Sequence, residues 1–171
     1  MNEAGGMGWP AAGLARRMMD MTTTQNVGEY QAPSAFEAVF NRTFGFLAGL
    51  GIGPKFIYQL QVRGRKSGKV YASPVNLMEI GGKRILVAPR GRTQWVRNAE
   101  AAGEIVLKRG IYRQTFALRA IGDAEKPPIL KEYLERYSSA VGKFFPVPAG
   151  APVEAFREIA GKYPVFELAG K

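Results

Sequence analysis

The chain has 171 residues, of which 46% are hydrophobic and 11% aromatic, so it can form one globular domain with a sizeable core. It has no cysteine and no histidine, which excludes disulfides, thiolate or imidazole catalysis, and metal sites built on those ligands. The formal net charge of +10 favours a polyanionic partner: nucleic acid, an anionic membrane or a phosphorylated cofactor.

The N-terminal part differs in composition from the rest. Residues 1–32 are rich in Gly, Met and Thr, and we expect a mobile arm there, before a single domain over residues 33–171. From Ser34 to Leu47, apolar residues recur every three or four positions, and Glu37 completes a capping box, which predicts an amphipathic helix. This helix packs on the domain or, alternatively, the stretch Ser34–Leu50 contacts a membrane surface. No secretory signal is recognisable, so we expect a cytoplasmic protein, or one peripheral to the inner face of the membrane.

The remaining sequence predicts short antiparallel strands with helices between them. Alternation predicts strands over 56–62, 70–80, 84–88, 104–108, 112–121 and 163–168. Pro74 predicts an edge or a bulge in the second of these. Helices are predicted over 93–102, 127–141 and, briefly, from Val153. This pattern indicates an α+β fold that is mainly β, a small barrel of about six antiparallel strands with flanking helices.

A basic turn, Gly64–Lys69, separates the first two predicted strands. Its sequence Gly-Arg-Lys-Ser-Gly-Lys combines glycines, a hydroxyl and three cations, which suits the binding of a phosphate. A solvated hairpin turn is the alternative. A Walker-type phosphate loop is excluded, because the run is one residue short, lacks the final hydroxyl and leads into a strand.

Four motifs in order resemble one family. They are Arg65–Lys69, Ser73-Pro74-Val75, a loop after Ala88, and Trp95-x-x-Asn98. Together with the closing Tyr-Pro-Val-Phe-Glu-Leu, they resemble the deazaflavin (coenzyme F420)-dependent nitroreductase and quinone reductase family. The resemblance covers roughly residues 55–169 and implies a split β-barrel, related to FMN-binding barrels, that holds coenzyme F420.

The resemblance also implies roles for individual residues. Cations of the turn would contact the phosphate and the glutamate tail of the cofactor, the next strand would follow the deazaflavin edge, and a loop would cover the ring. The implied cofactor-binding residues are Arg65, Lys66, Ser67, Gly68, Lys69, Ser73, Pro74, Val75, Ala88, Pro89, Arg90, Gly91, Trp95 and Asn98. For Trp95 the alternative is core packing, and for Asn98 it is an amide on a helix surface.

Two positions depart from the family pattern. Tyr71 stands where the family has an arginine, and Arg90 and Arg92 are candidates to replace that charge. Pro89 stands where nitroimidazole-reducing members have a serine, and proline donates no hydrogen bond. Nitroimidazole reduction is therefore not expected. A quinone is the preferred acceptor, because the Phe-rich stretch Ser34–Leu50 and the basic surface suit work at a membrane face.

Tyr133 and Tyr137 lie four residues apart and share a helix face. The resemblance places tyrosines of this helix at the substrate pocket, where a phenol would donate a proton after hydride transfer from the cofactor. Aromatic core packing is the alternative.

Other functions remain open at this point. The same residues would serve a non-catalytic F420 carrier, and FMN is the alternative cofactor. A haem-type ligand would lack the usual histidine. We expect no nucleic-acid partner, since no basic strand is interleaved with aromatic residues. A dimer is left open, and no metal site is expected.

Overall fold

The computed structural model describes residues 46, 47 and 49–171. The predicted arm and the predicted helix up to residue 45 lie outside the described residues. Phe46, Leu47 and Gly49 are helical, and the amide of Leu50 donates to the carbonyl oxygen of Phe46 at 3.1 Å. Among the described helices, none is long and apolar enough to cross a membrane.

The described residues form a closed barrel of antiparallel strands in the order β1-β2-β3-β6-β5-β4. Closure pairs the outer strands with each other, so the sheet ends in no free edge along most of its length. The strands are β1 (Ile57–Arg63), β2 (Val70–Ile80), β3 (Lys83–Val87), β4 (Glu104–Arg109), β5 (Tyr112–Ala120) and β6 (Val165–Gly170).

These bounds confirm the predicted strands to within one or two residues. The structure confirms the prediction that Pro74 lies at an edge of the sheet. β1 pairs with β2 over Val70–Asn76, whereas the described register with β3 covers Leu77–Ile80. Pro74 therefore lies where β2 has a partner on one side, and its missing N–H costs no ladder hydrogen bond on the other side.

After β3 the described residues form three α-helices: α1 (Gln94–Ala102), α2 (Lys126–Val141) and α3 (Val153–Arg157). Short 3-10 turns span Gly142–Phe144 and Ala160–Lys162. Thr93 is the N-cap residue of α1 as predicted, although its side chain makes no capping hydrogen bond. Gly103 ends α1 in the left-handed conformation, with its amide donating to Ala99.

The alternation of β2 divides the core into two layers. Val75 and Leu77 point into the barrel, where they meet Leu60, Leu107 and Phe116. Met78 and Asn76 point outward, toward α2. On that outer face a second cluster contains Met78, Ile85, Leu130, Tyr133, Leu134, Tyr137 and Phe156. α1 packs against β1, β4 and β2, which brings it beside the turn between β1 and β2.

Candidate functional site

The basic turn is closed by its own backbone. The Gly64 amide donates to the carbonyl oxygen of Lys69 at 2.8 Å, and the Gly68 amide donates to that of Gly64 at 2.8 Å. The side chains of Arg65, Lys66 and Lys69 are exposed. The turn therefore holds three cations on a fixed backbone at the end of β1.

Asn98 of α1 connects the turn to the helix. Its buried Oδ1 accepts from the backbone amide of Arg65 at 3.3 Å and from Arg65 Nη1 at 2.9 Å. Gln94, one helical turn earlier, accepts from the same Nη1 at 3.1 Å. Both acceptors are neutral amides, so they orient the guanidinium without compensating its charge. Asn98 is thus a buried amide that positions Arg65, which the helix-surface alternative did not anticipate.

The three cations of the turn differ from Arg92 in their ion pairing. Within the described part of the chain, no carboxylate lies within ion-pair distance of Arg65, Lys66 or Lys69. By contrast, Arg92, a candidate replacement for the missing arginine, forms an ion pair with Glu100. The charge of Arg92 is therefore compensated in this structure.

Tyr71 occupies the space beside the turn. Its hydroxyl lies 3.2 Å from the hydroxyl of Ser67, which also accepts from the Lys69 amide at 3.3 Å. A Cβ on Gly64 would lie 2.5 Å from Tyr71 Cε2, so only glycine allows the ring this close. The Ser67 hydroxyl and the Gly68 amide, predicted as anion donors, are both used within the turn. Contact with an anion therefore falls mainly to the cations.

The predicted residues of β2 lie along one strand but face two directions. Val75 is buried inside the barrel, and Ser73 shares its face. Pro74 faces outward and is partly exposed. The backbone of this stretch pairs with β1 on one side, and the described register with β3 begins only at Leu77 on the other.

The loop after β3 is tightly turned. The buried Ala88 accepts from the Gly91 amide at 3.1 Å and donates its own amide to Pro164 at 2.9 Å. Pro89 and Arg90 are partly exposed, and the Arg90 guanidinium lies 5.1 Å from the ring centroid of Phe144. Arg90 thus contacts the segment that follows α2.

Trp95 is partly buried and packs against the core. Its ring centroid lies 6.1 Å from that of Phe166. This contact favours the packing alternative for Trp95.

Tyr133 and Tyr137 share a face, as predicted, and both are buried between α2 and β2. The Tyr133 hydroxyl accepts from Asn76 Nδ2 at 3.4 Å, and the Tyr137 hydroxyl donates to the carbonyl oxygen of Leu77 at 3.2 Å. Burial raises the pKa of both phenols, so both stay protonated at neutral pH. Their rings pack 5.1 Å apart. The proton-donor role stays a prediction.

Sequence reasoning missed Gln94, Asn76 and the packing role of Tyr71. For Gln94 a signal existed, because it lies four residues before Asn98 and therefore on the same helix face. No local signal links Asn76 to Tyr133, since the two residues are 57 positions apart.

The donor set suits a ligand with both a phosphate and carboxylates, because one ordered turn presents three cations that have no carboxylate partner among the described residues. Within the described residues, no cluster of three or more metal-ligating side chains occurs. The fold and this site define a split β-barrel protein with a cationic site between its first two strands and α1.

The sequence profile of the F420H(2)-dependent quinone reductase family matches residues 39–142, more than half of the chain. The chain belongs to that family, whose cofactor is coenzyme F420, and this confirms the resemblance seen in the sequence. No protein among the curated ones matches the chain.

The chain is similar to several solved structures. The protein Atu2129 of unknown function from Agrobacterium tumefaciens str. C58 is 21% identical with a TM-score of 0.50, over 82% of this chain and 57% of that chain. An F420-H2 dependent reductase (FDR-A) is 20% identical with a TM-score of 0.45, over 67% of this chain and 95% of that one. HutZ, a haem storage protein from Vibrio cholerae, is 11% identical with a TM-score of 0.48, over 68% and 82% of the two chains.

Proposed function

We propose that this protein binds reduced coenzyme F420 and catalyses hydride transfer to an electron-poor organic acceptor, a quinone in preference to a nitroaromatic. The observation that carries the proposal is Arg65, held by Asn98 and Gln94 beside two further cations with no carboxylate partner among the described residues. A site that orders a cation without neutralising it is suited to an anionic ligand.

In this proposal the turn binds the charged part of the cofactor. Arg65 meets the phosphate as a planar donor, while Lys66 and Lys69 act as point charges toward the glutamate tail. Asn98 acts through Arg65 and is a positioning residue. Tyr71 supports the backbone of the turn by packing on Gly64.

The uncharged part of the cofactor would lie along the open side of β2. Residues Ser73–Val75 offer backbone groups there, and the loop Ala88–Gly91 flanks the same region. Trp95 supports the loop from the core through its contact with Phe166. Together these elements would orient the ring and exclude water from one side of it.

When bound, the reduced deazaflavin supplies the hydride. A quinone that accepts a hydride also needs a proton on oxygen, and a buried phenol that stays protonated at neutral pH is a suitable source. Tyr137 is the better placed of the two tyrosines, because its ring lies 4.8 Å from that of Phe56, which is itself partly exposed. Pro89, which donates no hydrogen bond, supports the preference for a quinone over a nitro group.

The first experiment is a titration with F420 followed by deazaflavin fluorescence, with FMN titrated in parallel. We expect tight binding of F420 and weaker binding of FMN, because FMN has a phosphate but no carboxylate tail for Lys66 and Lys69. Tight binding of FMN alone would overturn the proposal.

A second experiment distinguishes an enzyme from a carrier. Reduced F420 is mixed with the protein and with a menaquinone analogue or a nitroaromatic, and its oxidation is followed by stopped flow. We expect faster oxidation by the quinone with the protein than without it. Binding without acceleration by any acceptor would instead support the carrier function, and faster oxidation by the nitroaromatic would reverse the acceptor preference.

A further inference from the structure

An apolar surface lies at the opposite end of β1 from the basic turn, roughly 20 Å away by the rise of a strand. We call it the apolar tip, and it consists of Phe46, Leu50, Ile52 and Ile111. Ile111 is fully exposed, and the others are 62%, 53% and 58% exposed in that order. Large apolar side chains exposed together mark an interaction site rather than ordinary surface.

Two backbone segments hold the apolar tip together. The Gly110 amide in the turn between β4 and β5 donates to the carbonyl oxygen of Gly49 at 3.0 Å. A Cβ on Gly51 would lie 3.3 Å from Gly110 Cα, so the two chains are nearly in backbone contact. Arg109 Nη2 donates to the carbonyl oxygen of Gly53 at 2.9 Å. The four apolar side chains therefore project from one fixed platform.

Within the described residues, the two segments that form the apolar tip carry positive but no negative side chains. No acidic residue occurs from Phe46 to Met78 or from Ile105 to Gly122. The cations in or beside the platform are Lys55, Lys108, Arg109 and Arg113. Among the residues that the structure describes, none of these four has a carboxylate within ion-pair distance.

We propose that the apolar tip docks on a lipid bilayer with anionic headgroups. Its apolar side chains enter the boundary between headgroups and acyl chains, and the surrounding cations contact the lipid phosphates. The predicted membrane contact through Ser34–Leu50 contributes its last residues to this surface, whereas the β4–β5 turn is an addition from the structure.

The charge of the surface selects this occupant over a second copy of the chain. Two copies meeting here would bring four cations against four others, and like charges facing each other oppose association. Four side chains also bury far less than the roughly 1,600 Å² of a standard protein interface. An anionic bilayer satisfies both the apolar and the charged groups.

Docking does not depend on the cofactor, so it can be tested apart from the proposed function. It would place a reductase next to acceptors that dissolve in the bilayer. The test is co-sedimentation of the full chain with vesicles of phosphatidylcholine, or of phosphatidylcholine mixed with phosphatidylglycerol. Neither F420 nor turnover is needed.

We expect partitioning onto the mixed vesicles and little onto phosphatidylcholine alone. Ile111→Asp should weaken it at least about tenfold, because one apolar side chain is lost from the contact and a repelled charge is added. Ser139→Asp, an equal change of charge at an exposed position of α2, should bind as the wild type does. The pair Lys55→Gln and Lys108→Gln should weaken binding roughly 25-fold, about fivefold for each cation.

Four results would overturn the proposal. The first is equal binding of the wild type to both kinds of vesicle. The second is wild-type binding by Ile111→Asp, and the third is a loss of binding by Ser139→Asp as large as that of Ile111→Asp. The fourth is a dimer in sedimentation velocity that Ile111→Asp converts to a monomer, which would assign the apolar tip to a second copy. A thermal melt of Ile111→Asp that matches the wild type excludes misfolding, as its exposure predicts.

Discussion

The two sides of the molecule carry their positive charges differently. On α2, Lys131 pairs with Glu135 and Arg136 with Glu132, each at 2.6 Å and at the four-residue spacing that places both ends on one helix face. In the turn between β1 and β2, Arg65 is held by two neutral amides instead. The helix pairs its cations with carboxylates, whereas Arg65 has no carboxylate partner among the described residues.

This difference shows how a basic protein can bind an anion at one site in preference to others. A net charge of +10 attracts any polyanion, but a neighbouring carboxylate offsets much of the attraction of a paired cation for a further anion. No acidic residue occurs from Phe46 to Met78, and among the described residues the turn cations Arg65, Lys66 and Lys69 have no carboxylate within ion-pair distance. The position of a cation within the fold, rather than the total charge of the protein, therefore determines how strongly that cation attracts an anion.

The largest expected effect separates the two sides directly. Lys66→Ala with Lys69→Ala should lower the affinity for F420 by at least about a hundredfold, because each charge-assisted contact contributes roughly 1.5–3 kcal/mol. The matched control is Lys131→Ala with Arg136→Ala, which removes the same charge from α2. Its affinity should stay near that of the wild type in the same fluorescence titration. Equal losses in both variants would mean that only net charge matters.

The next effect concerns the packing of the turn. Gly64→Ala should lower the free energy of unfolding by about 1–2 kcal/mol, because the new Cβ forces Tyr71 away from Ser67. Denaturant unfolding measures this loss. Gly142→Ala is the control, since no atom lies within 4 Å of a Cβ there and the backbone is helical. In combination with Tyr71→Ala, the Gly64→Ala substitution should cost much less, and simple additivity of the two would contradict the packing role.

Much of the fold could be predicted from the sequence because its signals are local. Alternation located every strand to within about two residues, and Gly103 ended α1 where a left-handed residue was needed. The site was less accessible. The basic composition of Gly64–Lys69 was visible, but the bond from Arg65 to Asn98 spans 33 positions and depends on how α1 packs beside β1. Contacts between distant segments leave no trace in local periodicity.

Tyr71 shows why a pattern can mislead as well as inform. Compared with the family pattern it is a missing cation, which suggested Arg90 or Arg92 as a replacement. In the structure Arg92 is paired with Glu100, and Tyr71 packs on Gly64 instead. The position still serves the turn, but through packing rather than charge.

Asn98→Asp gives the turn the kind of partner that α2 uses. The new carboxylate would neutralise Arg65, so the affinity for F420 should fall about tenfold, as for the loss of one charge-assisted contact. Stability should change little, because the new ion pair with Arg65 offsets the cost of burying the carboxylate. Asn98→Ala is the comparison variant: it should lower both affinity and stability, since a buried amide and its two hydrogen bonds are lost. A tighter complex with Asn98→Asp would contradict the role of Arg65 as an anion ligand.

A smaller, pH-dependent effect is expected at the ion pairs of Glu167 on the barrel. Glu167 on β6 accepts hydrogen bonds from Arg119 at 2.6 Å and from Lys83 at 3.2 Å, and these lower the pKa of its carboxyl below the ordinary value of 4.5. A carboxyl with a lowered pKa stabilises the fold above its unfolded pKa and loses that contribution as the pH falls through its folded pKa. Glu167→Gln should therefore be slightly less stable than the wild type at neutral pH.

The two melting curves should converge as the pH drops well below 4.5, where the wild-type carboxyl is protonated too. Glu158→Gln is the control, because Glu158 is exposed and has no ion-pair partner among the described residues. The melting temperature of Glu158→Gln should differ less from that of the wild type, and this difference should change less with pH. If the difference in melting temperature between Glu167→Gln and the wild type persisted unchanged in acid, the ion pairs of Glu167 would contribute nothing to stability.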